Sequence, residues 1–142
     1  MANKLRIRNT DRRGTAAVEM AVVTPLLLLL TFGLLEYGWL FLKSEQITNA
    51  ARSGARYAAT AVVTTSGQVT GSGSPAVQFL TASGIPVTAG TITVPTGVTP
   101  GTGNPVTVTV TVPYSSIKFT GFPLLPTPTS ITATVTMAKE GF

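Results

Sequence analysis

From Met20 to Leu35 the chain carries no charged side chain, and this run limits what the rest can be. It lies inside a longer stretch, RRGTAAVEMAVVTPLLLLLTFGLLEYGWLFL from Arg12 to Leu42, which would make a helix of about seven turns or more. Crossing the hydrocarbon core of a bilayer takes roughly 20 apolar helical residues. Glu19 and Glu36 bracket the uncharged run. On a helix they stand about 25 Å apart, close to the thickness of that core. The stretch therefore predicts a membrane-crossing helix in the precursor.

The placement of charge says which way the helix points. The whole chain has a net charge of +5. Lys4, Arg6, Arg8, Arg12 and Arg13 oppose Asp11 alone in the first thirteen residues, so most of the excess sits before the helix. The positive-inside rule keeps that tail in the cytoplasm and sends the C-terminal region outward. A nucleic-acid binder would instead spread its basic residues over a folded surface, with stacking aromatics among them. No nucleic-acid partner is expected.

Composition also argues against chemistry. With no cysteine and no histidine the chain lacks thiolate ligands, disulfides and the usual general base near neutrality. Ser115-Ser116-Ile117-Lys118 has an S-x-x-K spacing, but the S-D-N and K-T-G elements of penicillin-recognising enzymes are missing. Glu140 is the only carboxylate side chain after Glu45, so no acidic pair is available. The G-x-G triplets at Gly71 and Gly101 lack a following lysine and helix. The sequence predicts no catalytic, cofactor-binding or metal site and a protein that is not an enzyme.

A basic leader before an apolar run suggests a secretory signal peptide. That reading needs a shorter apolar core and a small-x-small site soon after it. Here Lys43-Ser44-Glu45-Gln46 follows the run, and the first such triplet, Ala59-Thr60-Ala61, lies far beyond. A different cut fits. Arg12-Arg13-Gly14 closes the leader, Thr15 follows, and Glu19 stands five residues after the glycine. This pattern resembles the processing site of type IV pilin-like precursors. The resemblance implies that a prepilin peptidase cuts between Gly14 and Thr15 and that the apolar helix is kept. Glycine suits a position where extended backbone must be held without a side chain in the way. A carboxylate one turn into an apolar helix is costly and calls for a partner. The resemblance supplies one for Glu19, the new α-amino group of Thr15 on a neighbouring subunit, which sets axial register. The alternative places Glu19 at the headgroup boundary, in water, paired with Arg12 or Arg13.

Further along, Pro25 removes one backbone hydrogen bond from the helix. Tyr37, Trp39 and Phe41, followed by Lys43, have the composition of an interfacial aromatic belt. Glu36 beside them either snorkels, pairs with a polar neighbour or serves a subunit contact. In Ser44 to Ala61, helical spacing gathers Ile47, Ala51, Gly54, Ala55 and Ala58 on one face and Glu45, Asn49, Arg52 and Arg56 on the other. Small residues at this spacing allow close approach. Ala51, Gly54 and Ala55 are candidates for subunit contact, with packing on the chain's own domain as the plainer reading.

The leader and helix, joined to Ala50-Ala51-Arg52-Ser53-Gly54-Ala55-Arg56-Tyr57-Ala58, closely resemble the TadE-like pseudopilins of the tight-adherence (Flp-type) pilus system. The likeness is densest from Arg12 to Ala59 and extends more loosely to Ala133–Glu140. Met20 stands where that family often has an aromatic residue. The resemblance implies a minor pseudopilin or assembly component acting through helix–helix packing. Its partners would be the prepilin peptidase, other pilin or pseudopilin subunits, the assembly machinery and the lipid bilayer.

Beyond Ala61 no charge occurs until Lys118, and Thr, Val, Gly, Pro and Ser dominate. Val62 to Pro75 reads as a flexible loop. Ala76 to Ser83 predicts two turns of helix, stopped by Gly84 and Pro86. Thr91 to Val94, Val106 to Val112 and Ser130 to Ala138 predict strands, the second alternating valine with threonine in strict period two. A Gly/Pro loop from Pro95 to Pro105 joins the first two. Tyr114, Phe119, Phe122, Leu124 and Leu125 make Pro113 to Thr129 too apolar for an ordinary turn. This loop either caps the sheet or meets the membrane or another subunit.

The expected architecture is α+β and pilin-like: a long N-terminal helix packed on a small antiparallel sheet. Its parts would be a leader at 1–14, a membrane and assembly helix at 15–61 and an extracytoplasmic β-rich domain at 62–142. Two functions fit this plan, a processed pseudopilin or an uncut single-pass anchor displaying a β-rich binding module. In both the chain sits in the inner membrane with its N-terminus cytoplasmic, and in the first it can enter a pilus.

Overall fold

A computed structural model of the chain describes residues 10–60, 63–88, 90–96, 104–121 and 125–140, with side chains for all of these but 10–13 and 96. Leader residues 1–9, the middle of the Gly/Pro loop at 97–103, and Phe122 and Leu124 lie outside the described residues. The chain divides into two compact units, Met1–Leu35 and Glu36–Phe142, with the division inside the first helix.

Helix α1 runs from Thr10 to Ala59 and stays helical through Pro25. In the first unit it is long and apolar enough to cross a membrane. Val18, Met20, Val22, Val23, Leu26, Leu27, Leu30 and Leu34 are all exposed there. An apolar surface of this extent is stable only when something other than water covers it.

The second unit builds a core on the C-terminal part of α1. Ile47, Ala50, Ala51, Ala55 and Ala58 are fully buried, while Glu45, Asn49, Arg52 and Arg56 are exposed, so the predicted amphipathic split is realised. Two short helices follow, α2 at Ser66–Thr70 and α3 at Pro75–Ala82. Three strands, β1 (Ile92–Thr96), β2 (Pro105–Pro113) and β3 (Ser130–Ala138), form an antiparallel sheet in the order β1-β2-β3.

Strand β2 is the centre of that sheet because of its alternation. Val106, Val108, Val110 and Val112 are all fully buried in the core shared with α1. Each is worth about 1.5–3 kcal/mol of burial. On the other face Thr107, Thr109 and Thr111 pair their hydroxyls with Thr136, Thr134 and Thr132 of β3, at 2.9, 3.1 and 3.2 Å.

The expected loop from Val62 to Pro75 is corrected by α2. The side chain of Gln68 turns back to accept the Thr64 and Thr65 N–H groups at 2.8 and 3.0 Å, and Val63 and Val69 are fully buried. Thr65-Ser66-Gly67-Gln68 is a T-x-x-Q capping pattern, a signal that the Gly/Ser composition hides. Helix α3 matches its expected span. Ser74 caps its start, and Gly84, at φ +67°, ends it as the glycine of a Schellman turn. There Ile85 N–H donates to Leu80 at 2.9 Å and Gly84 N–H to Thr81 at 3.0 Å.

Candidate assembly and membrane-proximal site

The residues singled out for processing and register lie in the first unit. Gly14, Thr15 and Glu19 are all helical and exposed. A Cβ added at Gly14 would meet nothing within 4 Å, so the fold described here does not itself require glycine there. Gly38 shares that property. Glycine in a helix costs about 1 kcal/mol relative to alanine.

The residues singled out for subunit contact lie in the second unit and are already occupied within it. Ala51 and Ala55 are fully buried, and Gly54 is buried beside them. A Cβ at Gly54 would come within 3.1 Å of Ala76 Cβ and 3.3 Å of Val108 Cγ1. The small face therefore brings α1 against α3 and β2 of the same chain. These side chains have no free surface to offer a second subunit in this arrangement.

Glu36 is spent in the same way. Only 2% exposed, it accepts hydrogen bonds from Tyr114, Phe119 and Thr120 in the segment after β2. The Tyr114 hydroxyl and the Phe119 N–H donate to Oε1, the latter at 3.2 Å. The Thr120 N–H donates to Oε2 at 2.8 Å, and the Thr120 hydroxyl donates to the same oxygen. Tyr114 begins a short 3-10 turn, η1 (Tyr114–Ser116), which carries the chain from β2 back to the helix. Burial, then the hydrogen bond to Glu36 and its charge, push the Tyr114 phenol up to about 12, so it remains a donor at physiological pH.

The aromatic belt is partly turned inward. The Tyr37 hydroxyl donates to the Pro126 carbonyl and the Trp39 Nε1–H to the Ile117 carbonyl, each at 2.7 Å. The Lys43 ammonium lies 4.9 Å from the Trp39 ring centroid and donates to the Ser83 carbonyl at 2.8 Å. Lys43 is 6% exposed, so it does not reach for a headgroup as the belt composition suggested. Together Glu36, Tyr37 and Trp39 clasp the connection between β2 and β3.

A second tie, which the sequence reading missed, closes the other end of the domain. Lys139 is 2% exposed and donates to the carbonyls of Ala58 (3.1 Å), Thr60 (2.9 Å) and Val63 (2.5 Å). The last carbonyls of a helix lack intrahelical partners, and a cation there also suits the helix dipole. The Glu140 N–H adds a bond to the Ala59 carbonyl at 2.8 Å. The signal lay in the Ala138-Lys139-Glu140 segment, a lone lysine after a strand of uncharged residues.

The helix that carries Gly14, Glu19, Glu36 and the small face is also the part that comparison with known proteins recognises. Residues 14–56 match the TadE-like protein family. The TadE-like stretch begins at the glycine and ends at Arg56, short of the sheet. The match covers the apolar helix that is long enough to cross a membrane and leaves the sheet outside it. No curated protein and no solved structure matches. Among the described residues no group of three or more acidic, cysteine or histidine side chains is placed to hold a metal ion.

Proposed function

We propose that this chain is a minor pseudopilin or assembly component of a tight-adherence pilus, made as a membrane-inserted precursor and cut after Gly14. The observation that carries the reading is the TadE-like match, which starts at Gly14 itself. The basic pair before it and the apolar helix after it are what a cytoplasmic-face peptidase needs, a charged approach kept in the cytoplasm and a retained anchor.

Two features of the fold bear on the cut. Helix α1 begins at Thr10, so the Gly14–Thr15 bond is helical in the precursor and must open to be cleaved. Glycine is the residue at which a helix opens with least cost after proline. Gly14 also serves no packing purpose among the described residues, which leaves external recognition to explain it.

Once cut, the chain begins at Thr15 with Glu19 one turn in, and Glu19 pairs with the α-amino group of a neighbouring subunit to set register. The role is one of packing, without catalysis. Assembly contacts run through the exposed apolar residues 18–35, since the Ala51–Gly54–Ala55 face is filled by the chain's own core. Replacing Gly14 with leucine in cells that express the prepilin peptidase tests the reading. Precursor should accumulate and piliation should fall; normal processing and piliation of the variant would contradict it.

A further inference from the structure

We propose that the η1 connection is a second membrane contact, with Phe119 and Lys118 seated in the outer interface of the bilayer that α1 crosses. The inference rests on the membrane-span reading of residues 18–35 and goes beyond it.

Depth follows from connectivity. Leu35 is the last residue of the uncharged run, and Glu36 comes next. The Phe119 and Thr120 N–H groups both bond the Glu36 carboxylate, so this connection is held within a side chain's reach of the point where the apolar run ends. Phe119 packs on Trp39 with ring centroids 5.5 Å apart, and yet it remains 55% exposed. Lys118 beside it is exposed as well. A surface phenylalanine next to a lysine fits a headgroup boundary, where the ring meets acyl chains and the ammonium meets phosphate.

The helix completes a collar at this level. At 100° per residue, Glu36, Trp39, Leu40 and Lys43 share the side that the domain covers, and Tyr37, Phe41 and Leu42 take the remainder. Their exposure agrees: Tyr37, Phe41 and Leu42 are exposed, while Glu36 and Lys43 are buried. Phe119 adds an apolar group on the covered side. A bilayer surface meets all of these directions at once, whereas a single partner subunit would cover one side. Glu36 is then a positioning residue, holding the loop at the depth where the span ends.

Because the chain has no cysteine, single labels can be placed cleanly. Full-length Phe119→Cys, Thr134→Cys and Leu28→Cys chains would each carry a nitroxide in phosphatidylcholine/phosphatidylglycerol vesicles. Collision with oxygen and with a water-soluble nickel chelate then reports depth. The proposal expects the label at 119 to meet nickel several-fold less than the label at 134 and to be readily reached by oxygen, approaching position 28. Equal nickel exposure at 119 and 134 would overturn it. Shielding of 119 from both reagents would also overturn it, since that marks a protein contact. If position 28 meets nickel freely, the membrane-span reading falls and takes this proposal with it. Adding Glu36→Ala should return the label at 119 to nickel exposure; no change would remove Glu36 from the positioning role.

Discussion

The Thr120 N–H donates to the Glu36 carboxylate at 2.8 Å, joining residues 84 positions apart in the chain. With the Tyr114 hydroxyl, the Phe119 N–H and the Thr120 hydroxyl, this bond makes Glu36 the anchor of the turn from Tyr114 to Thr120. Truncating it leaves several donors without an acceptor. Glu36→Ala should destabilise the second unit by about 2–4 kcal/mol, as expected for losing buried bonds to a charged group. Glu36→Gln keeps the shape but turns one acceptor oxygen into a donor facing Thr120 or Tyr114, and should cost less. Trp39, the only tryptophan, reports the change through denaturant unfolding followed by its fluorescence in detergent.

Lys139 makes a separate and parallel prediction at the far end of the helix. Lys139→Met preserves most of the buried stem and deletes the bonds to Ala58, Thr60 and Val63. A loss of about 1–3 kcal/mol is expected. Amide hydrogen exchange should accelerate around residues 58–63 before it does so in β2. Unchanged exchange there would mean that the ammonium does not cap the helix.

Gly54 tests the packing of α1 against its own domain. Gly54→Leu forces a side chain into a space where even the Cβ lies 3.1 Å from Ala76. Overpacking of this kind costs about 1–3 kcal/mol. Thermal unfolding of the variant should shift downward while membrane insertion is unaffected. If Gly54 instead faced a second subunit, the monomer's stability would hold and only assembly would suffer.

How much of this could be read beforehand depended on whether the determining partner was local. The strands were legible because the valine and threonine of β2 alternate strictly; the structure adds the register with β3, threonine opposite threonine. Helix α3 was legible from Gly84 and Pro86. The small face of α1 and its packing on the chain's own domain were legible, but the particular neighbours were not, because Gly54 meets Ala76 and Val108 and nothing local announces contacts that distant. The partners of Glu36 and Lys139 were not legible for the same reason. These are carbonyls, amides and hydroxyls 76 to 84 residues away, which leave no charge pattern in the sequence.

Tyr114 gives the clasp a pH signature. Its phenol is raised from about 10 to about 12 by burial first and then by Glu36. A folded value above the unfolded one means the proton stabilises the fold. That stabilisation is complete below about pH 10 and is lost as pH rises through about 12. Phenolate absorbance of the folded chain should therefore show one of its three tyrosines ionising late. Tyr114→Phe should remove that late step, and with it the alkaline loss of stability in this window.

If the apolar helix is a retained, processed N-terminus, the mature chain has lost its leader. Intact mass of the chain extracted from membranes, with the prepilin peptidase present, tests it most directly. A product beginning at Thr15, with the leader through Gly14 absent, is expected. A chain that keeps the leader at full abundance would contradict it and leave an uncut anchor.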